Sequence, residues 1–297
     1  MKLVSYQEGK KEAAGILRGD ELLPVENINH SDEKDFPITI QALIETGRVQ
    51  ELQTWVEAQG SLPDAAAIDK CSFAPLYRKP PKIWGIGLNY VDHAADLHEK
   101  APNTEPASFM KPATTVIGPG EEIQLPLQSE RTTGEAELGI VIGKRCKNVS
   151  ESDAQSVVAG YTTVIDMTAE DILAKNPRYL TRSKSFDTFF SFGPALITPD
   201  EIDAVHELEV ATWINGNLHR KNVVANMTFP PEMLISFHSK VMTLEPGDII
   251  STGTPGAVPL KDGDTVSCEI TGFPLLENPV KDLKIEGGKS DGSTTEK

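Results

Sequence analysis

The chain has 297 residues, 39% of them hydrophobic and 24% charged, which suits one large globular domain or two smaller ones. A formal net charge of −16 with no local basic cluster excludes nucleic acid, whose phosphates would be repelled. No apolar run approaches the length of a membrane-spanning helix, Met1–Gln7 lacks the apolar core of a secretory signal, and Cys71, Cys146 and Cys268 have no disulfide or zinc-ligand spacing, so no membrane partner and a reducing, cytoplasmic location are expected.

Residues 1–72 read as a separate small α+β unit. Strands are predicted at Lys2–Tyr6, Ala14–Leu17 and Glu21–Val25, with a turn at Gly19-Asp20. Helical spacing follows over roughly 38–47 and 49–59. The proline-rich stretch Ser72–Pro81 cannot be a helix or a central strand and marks the junction. From Ile83 to about Val280, short apolar segments are broken by turns such as Glu245-Pro246-Gly247-Asp248, the texture of a strand-rich domain over 83–280. Ser150-x-x-Asp153 and Thr168-x-x-Asp171 read as capping-box-like helix starts, and Pro230-Pro231 opens another helix. Residues 281–297, polar and rich in glycine toward the end, read as a flexible tail.

Glu135 and Glu137 lie two apart at the head of the apolar run Leu138–Gly143. In a strand, residues i and i+2 share a face, so the two carboxylates project side by side and repel unless a positive charge lies between them. An exposed, solvated strand face explains the pair equally well. Asp166, at the end of the apolar segment before a helix start, is either a helix-terminal acid or the third member of an all-oxygen site suited to Mg²⁺ or Mn²⁺. Gly85-Ile86-Gly87 lacks the third glycine of a dinucleotide fingerprint. His93 with Asp96 three residues on forms a potential base dyad on a helical turn, with His98 and Glu99 a competing pair. Taken alone, that turn is more simply a surface His beside a surface Asp. The stretch running to Pro106 reads as a lid. His238 reads as a packed structural histidine, and no GxSxG elbow is present.

Several motifs then occur in one order: Gly87-x-Asn89-Tyr90-x-x-His93, Phe109-Met110-Lys111-Pro112, Gly118-Pro119-Gly120, Glu135-Ala136-Glu137-Leu138, Asp166, Lys184-Ser185-Phe186-Asp187, Gly193-Pro194 and Ser251-Thr252-Gly253-Thr254-Pro255-Gly256. That order resembles the fumarylacetoacetate hydrolase family over about residues 83–280, which the resemblance makes the catalytic domain, with residues 1–72 similar to the small accessory domain of its longer bacterial-type members. The resemblance implies a mixed, mostly β roll or sandwich, α+β overall, assembled as a homodimer. It implies Mg²⁺ or Mn²⁺ held by Glu135, Glu137 and Asp166, His93 as general base beside Asp96, and Lys184 approaching the substrate's oxygen. It also implies a substrate-binding set of Phe109, Lys111, Asp187, Thr252 and Gly253. Asp96 departs from the glutamate that many members carry at that position.

The chemistry this implies is cleavage of a small anionic 2-oxo acid through a metal-stabilised enolate. Acylpyruvate C–C hydrolysis is the first expectation. Oxaloacetate decarboxylation and isomerisation or hydration of dienoic 2-oxo acids use the same enolate. A non-catalytic scaffold is the reading of another class, and the base at His93 is the feature it does not explain.

Overall fold

Two tight turns start the chain on its course. Gly9-Lys10 and Gly19-Asp20 are two-residue loops whose glycines take φ of +62° and +59°, conformations that L side chains rarely adopt. They fold β1 (Lys2–Glu8), β2 (Lys11–Arg18) and β3 (Glu21–Pro24) into an antiparallel meander. The computed structural model describes residues 1–59, 65–68, 71–91 and 103–287. Three short helices follow: α1 (Val25–Ser31), α2 (Ile40–Glu45) and α3 (Val49–Glu57). The sequence pattern anticipates α2 and α3, with α2 shorter than expected. It misses α1, because Pro24 ends the strand and the helix begins at Val25.

The larger segment contributes β4 (Ile83–Gly87), β5 (Ala107–Lys111), β6 (Thr132–Ile142) and β7 (Val158–Ala169). After the short helices α4 (Glu170–Lys175) and α5 (Leu180–Lys184) come β8 (Phe190–Phe192), β9 (Ala195–Ile197), β10 (Glu209–Ile214) and β11 (Asn217–Val223). Helix α6 (Pro231–Val241), β12 (Ile249–Ser251), β13 (Thr265–Ile270), β14 (Leu276–Asp282) and α7 (Leu283–Gly287) complete the described chain. Regular structure therefore runs through Gly287, past the boundary at 281 expected for the tail.

The strands of the described residues form two sheets. The larger runs from a short strand at Ala66–Ala67 through β3-β2-β1-β9-β7-β6-β12-β4-β5, and the smaller runs β11-β10-β13-β14 and on to a strand at Ile123–Leu125. The result is the mostly β, α+β architecture expected. β1 pairs with β9 from Lys2↔Ile197 to Val4↔Ala195, so the N-terminal meander continues the sheet of the larger segment. Leu3, Leu23 and Leu43 share a buried cluster with Val141, Val164 and Phe190.

β6 and β7 are buried along almost their whole length, and alternation divides their side chains between two environments. Ala136, Leu138 and Ile140 of β6, with Ile165 and Met167 of β7, pack in the same core as Val210, Val266 and Cys268 of the smaller sheet. Val141 and Val164 belong to the opposite core. Glu135, Glu137 and Asp166 have the parity of Val141 and Val164, so all three carboxylates point away from the smaller sheet.

Two predicted helix starts are corrected. Ser150 does cap, its hydroxyl accepting from the Asp153 N–H, but the turn it opens (Glu151–Val157) is 3-10 rather than α. Thr168 caps nothing: β7 continues to Ala169, α4 begins at Glu170 with Ala169 at its N-cap, and the Thr168 hydroxyl turns to Glu135 instead. Asp166 is accordingly an inner strand residue and not a helix-terminal acid.

Candidate metal centre

The β6–β7 register sets Glu135 opposite Asp166, and Glu137 follows on the same face of β6. Carboxylate oxygens from the three residues lie within 4.8 Å of one another. Glu135 is 8% exposed, Glu137 1% and Asp166 0%, which rules out the solvated strand face as the reason for the alternating glutamates. Three buried acids in contact require positive charge or protons.

Two lysines supply the charge. Lys184, the last residue of α5, places Nζ 3.0 Å from Glu135 Oε2 and 2.6 Å from Asp166 Oδ2. Lys111, the last residue of β5, donates from Nζ to Asp166 Oδ1 and to the Met167 carbonyl at 3.1 Å. Both lysines are buried. β5 is an edge strand on which Met110 faces out while Phe109 and Lys111 face in. Gly85 is needed opposite Phe109, because a Cβ there would lie 2.1 Å from the ring. The Phe109 ring in turn lies 4.6 Å from Lys184 Nζ.

Neutral donors complete the shell. The Thr168 and Thr133 hydroxyls reach Glu135 Oε1 at 2.6 and 3.3 Å. Ser251, at the end of β12, donates to Glu137 Oε2 at 2.5 Å, and the Gly253 N–H donates to the same oxygen at 2.8 Å. Gly253 sits at φ +96°, and a Cβ on it would come within 2.8 Å of Asn89 Cβ. Asn89 fixes this loop: its Nδ2 donates to the Thr252 and Phe229 carbonyls at 2.7 and 3.0 Å, and its Oδ1 accepts from the Phe229 N–H at 2.8 Å.

Electrostatics follow from burial. Burial first, then repulsion from Asp166 and Glu135, pushes the Glu137 carboxyl up to about 8. Burial lowers Lys111 to about 8 despite the attraction of Asp166. For Lys184 burial also acts downward, but attraction by Asp166, Glu135 and Glu137 outweighs it and holds its pKa above the ordinary lysine value.

The donor set fits a hard divalent cation. It offers carboxylate oxygens from three residues at one point, no nitrogen or sulfur ligand among the described residues, and ammonium groups standing where positive charge is needed. Of the residues expected from the sequence, Glu135, Glu137, Asp166, Lys184, Lys111, Phe109 and Gly253 converge here. Thr252 lies beside them, but its hydroxyl is donated to the Leu138 carbonyl at 2.8 Å, tying the loop to β6. Asp187 is exposed and makes no hydrogen bond or ion pair with the cluster among the described residues. His93 and Asp96, the expected base and its partner, lie outside the described residues, as does most of the expected lid. His238 is buried, with Nδ1 2.8 Å from the Leu234 carbonyl and its ring against Trp84, the packed histidine expected. Ser251, Thr168, Thr133 and the fixing role of Asn89 were not anticipated. Ser251 and Asn89 lie inside motifs already quoted, whereas the two threonines carry no sequence signal beyond strand alternation.

Known proteins are similar to this chain in sequence and in fold. A family model described as fumarylacetoacetate (FAA) hydrolase C-terminal matches residues 82–281. A mitochondrial oxaloacetate tautomerase of Xenopus laevis is 37% identical over 291 residues, covering 94% of this chain and 90% of the relative. Among solved structures, maleylpyruvate hydrolase from Sphingobium sp. SYK-6, in complex with manganese(II) and pyruvate, is similar with a TM-score of 0.78 and 29% identity, covering 95% of this chain and 99% of the other. A 5-carboxymethyl-2-hydroxymuconate delta-isomerase from Mycobacterium smegmatis is similar with a TM-score of 0.74 and 30% identity, covering 95% and 99%. The chain belongs to the fumarylacetoacetate hydrolase family, whose members are enzymes.

Proposed function

We propose that the protein is a divalent-cation-dependent enzyme that acts on a small anionic 2-oxo acid through its enolate. Enol–keto interconversion of oxaloacetate is the first reaction, favoured by likeness to the Xenopus tautomerase along nearly the whole chain. C–C hydrolysis of an acylpyruvate is the second, favoured by likeness to a maleylpyruvate hydrolase that carries manganese and pyruvate. The observation that carries the reading is the convergence of three buried carboxylates and two buried ammoniums at one point.

Glu135, Glu137 and Asp166 would hold Mg²⁺ or Mn²⁺, which would supply Lewis-acid chemistry for a 2-oxo acid. Lys184 adds a second positive charge where negative charge develops on the 2-oxo oxygen, in surroundings dry enough to strengthen that attraction. Phe109 forms an apolar wall that excludes water from the ammonium. Ser251 and the Gly253 N–H hold Glu137 in place. In hydrolysis, His93 with Asp96 takes the proton of the attacking water; in tautomerisation no attacking water is needed.

A panel of 2-oxo acids, assayed with Mg²⁺ or Mn²⁺ and again with chelator, tests this reading. Metal-dependent turnover of oxaloacetate or an acylpyruvate is expected, with Glu135→Ala inactive. Failure of every 2-oxo acid would overturn it.

A further inference from the structure

Both oxygens of Asp166 already carry an ammonium, Oδ1 from Lys111 and Oδ2 from Lys184. Lys184 also occupies Glu135 Oε2. Neutral donors take Glu135 Oε1 and Glu137 Oε2, and Glu137 Oε1 accepts no hydrogen bond among the described residues. A cation reaching Asp166 therefore meets a positive charge on whichever oxygen it approaches. The ammoniums cannot simply swing into water. Lys111 is buried, with Nζ 5.8 Å from the centre of the Phe109 ring and 6.0 Å from that of Phe189, and Lys184 is buried over Phe109.

We propose that Lys111 and Lys184 are resident counter-cations of the triad. They keep the site folded and charge-compensated without metal, and they limit how tightly a divalent cation binds. This rests on the reading of the triad as the cation site. With every group ionised, as in the metal-binding form, the three carboxylates and two ammoniums among the described residues leave a single negative charge for a doubly charged ion. Removing either ammonium doubles that charge and frees an Asp166 oxygen. Coulomb attraction at this range, even heavily screened, changes affinity by about tenfold or more. The cation is held less tightly than the carboxylates alone would allow, and its entry frees Lys184 to pair with an anionic substrate.

The test is Mn²⁺ affinity, read from the electron paramagnetic resonance signal of free Mn²⁺, for the full-length wild type, Lys111→Met and Lys111→Arg. Lys111→Met is expected to bind Mn²⁺ at least about tenfold more tightly, and Lys111→Arg no more tightly than wild type. Mn²⁺ should also raise the melting temperature of Lys111→Met more than that of wild type. If Lys111→Met does not fold, Lys184→Met asks the same question of the second ammonium, with the same tightening expected. Equal or weaker affinity in the methionine variants, with wild-type binding intact, would overturn the counter-cation proposal alone. A wild type that binds no Mn²⁺ would overturn the cation-site reading and this proposal with it.

Discussion

Glu135 and Asp166 stand directly opposite each other on β6 and β7, and Lys184 Nζ spans them, 3.0 Å from one carboxylate and 2.6 Å from the other. Like charges facing each other across a ladder destabilise a sheet. Here the bridging ammonium makes the pairing tolerable and leaves a site poised for a doubly charged ion.

Asp166→Asn should be the most destabilising substitution at the centre, because it strips the carboxylate from two buried lysines at once. Removing one partner of a buried ion pair costs about 3–5 kcal/mol. Urea denaturation in chelator is expected to show a loss of that order. A loss below about 1 kcal/mol would mean that the ammoniums are solvated and not paired.

Mn²⁺ binding should tighten as pH rises toward 8, because Glu137 must lose its proton to act as a ligand and its carboxyl titrates at about 8. Isothermal titration in buffers of different ionisation enthalpy should detect proton release at pH 6.5. Affinity independent of pH between 6 and 8 would contradict the assignment.

The metal-free fold should respond to pH in the same region. Glu137 is raised from an ordinary 4.5, so its stabilising contribution is complete below that value and is lost as pH rises through about 8. Lys111 is lowered from an ordinary 10.5, so its contribution is complete above that value and is lost as pH falls through about 8. Together they predict a minimum near pH 8 in the stability these two groups contribute. Unfolding free energy measured across pH in chelator should show the descending limb below pH 8 in wild type and lose it in Glu137→Gln; the same descending limb in both would contradict the assignment.

Gly253→Ala should fail locally, not globally. It forces a side chain into a positive-φ position and against Asn89 Cβ, where such strain costs about 1–3 kcal/mol, and it displaces the N–H that holds Glu137. Lower melting temperature together with weaker Mn²⁺ binding is expected. Ser251→Ala should weaken Mn²⁺ binding with little change in melting temperature.

The triad was legible because strand periodicity fixes which side chains share a face, and Glu135-Ala136-Glu137 reports that face directly. That it is buried was not legible, because the shielding comes from β5, α5 and the loop after β12, all distant in sequence. Thr168 shows how local reading fails: its spacing to Asp171 matches a helix cap, but β7 runs on past it and the hydroxyl finds Glu135. The ion pair of Lys111 with Asp166 joins an edge strand to an inner one, a contact that only the strand order creates. The hairpin of β2 and β3 was readable from Gly19-Asp20, whereas the pairing of β1 with β9 depends on a partner nearly two hundred residues away.

The most direct test of the central claim is the rate of oxaloacetate enol–keto conversion by metal-stripped protein, before and after Mn²⁺ is restored. The account predicts loss of catalysis on stripping, recovery on reloading, and no recovery in Glu135→Ala. Full catalysis by the stripped enzyme, or by Glu135→Ala, would contradict it.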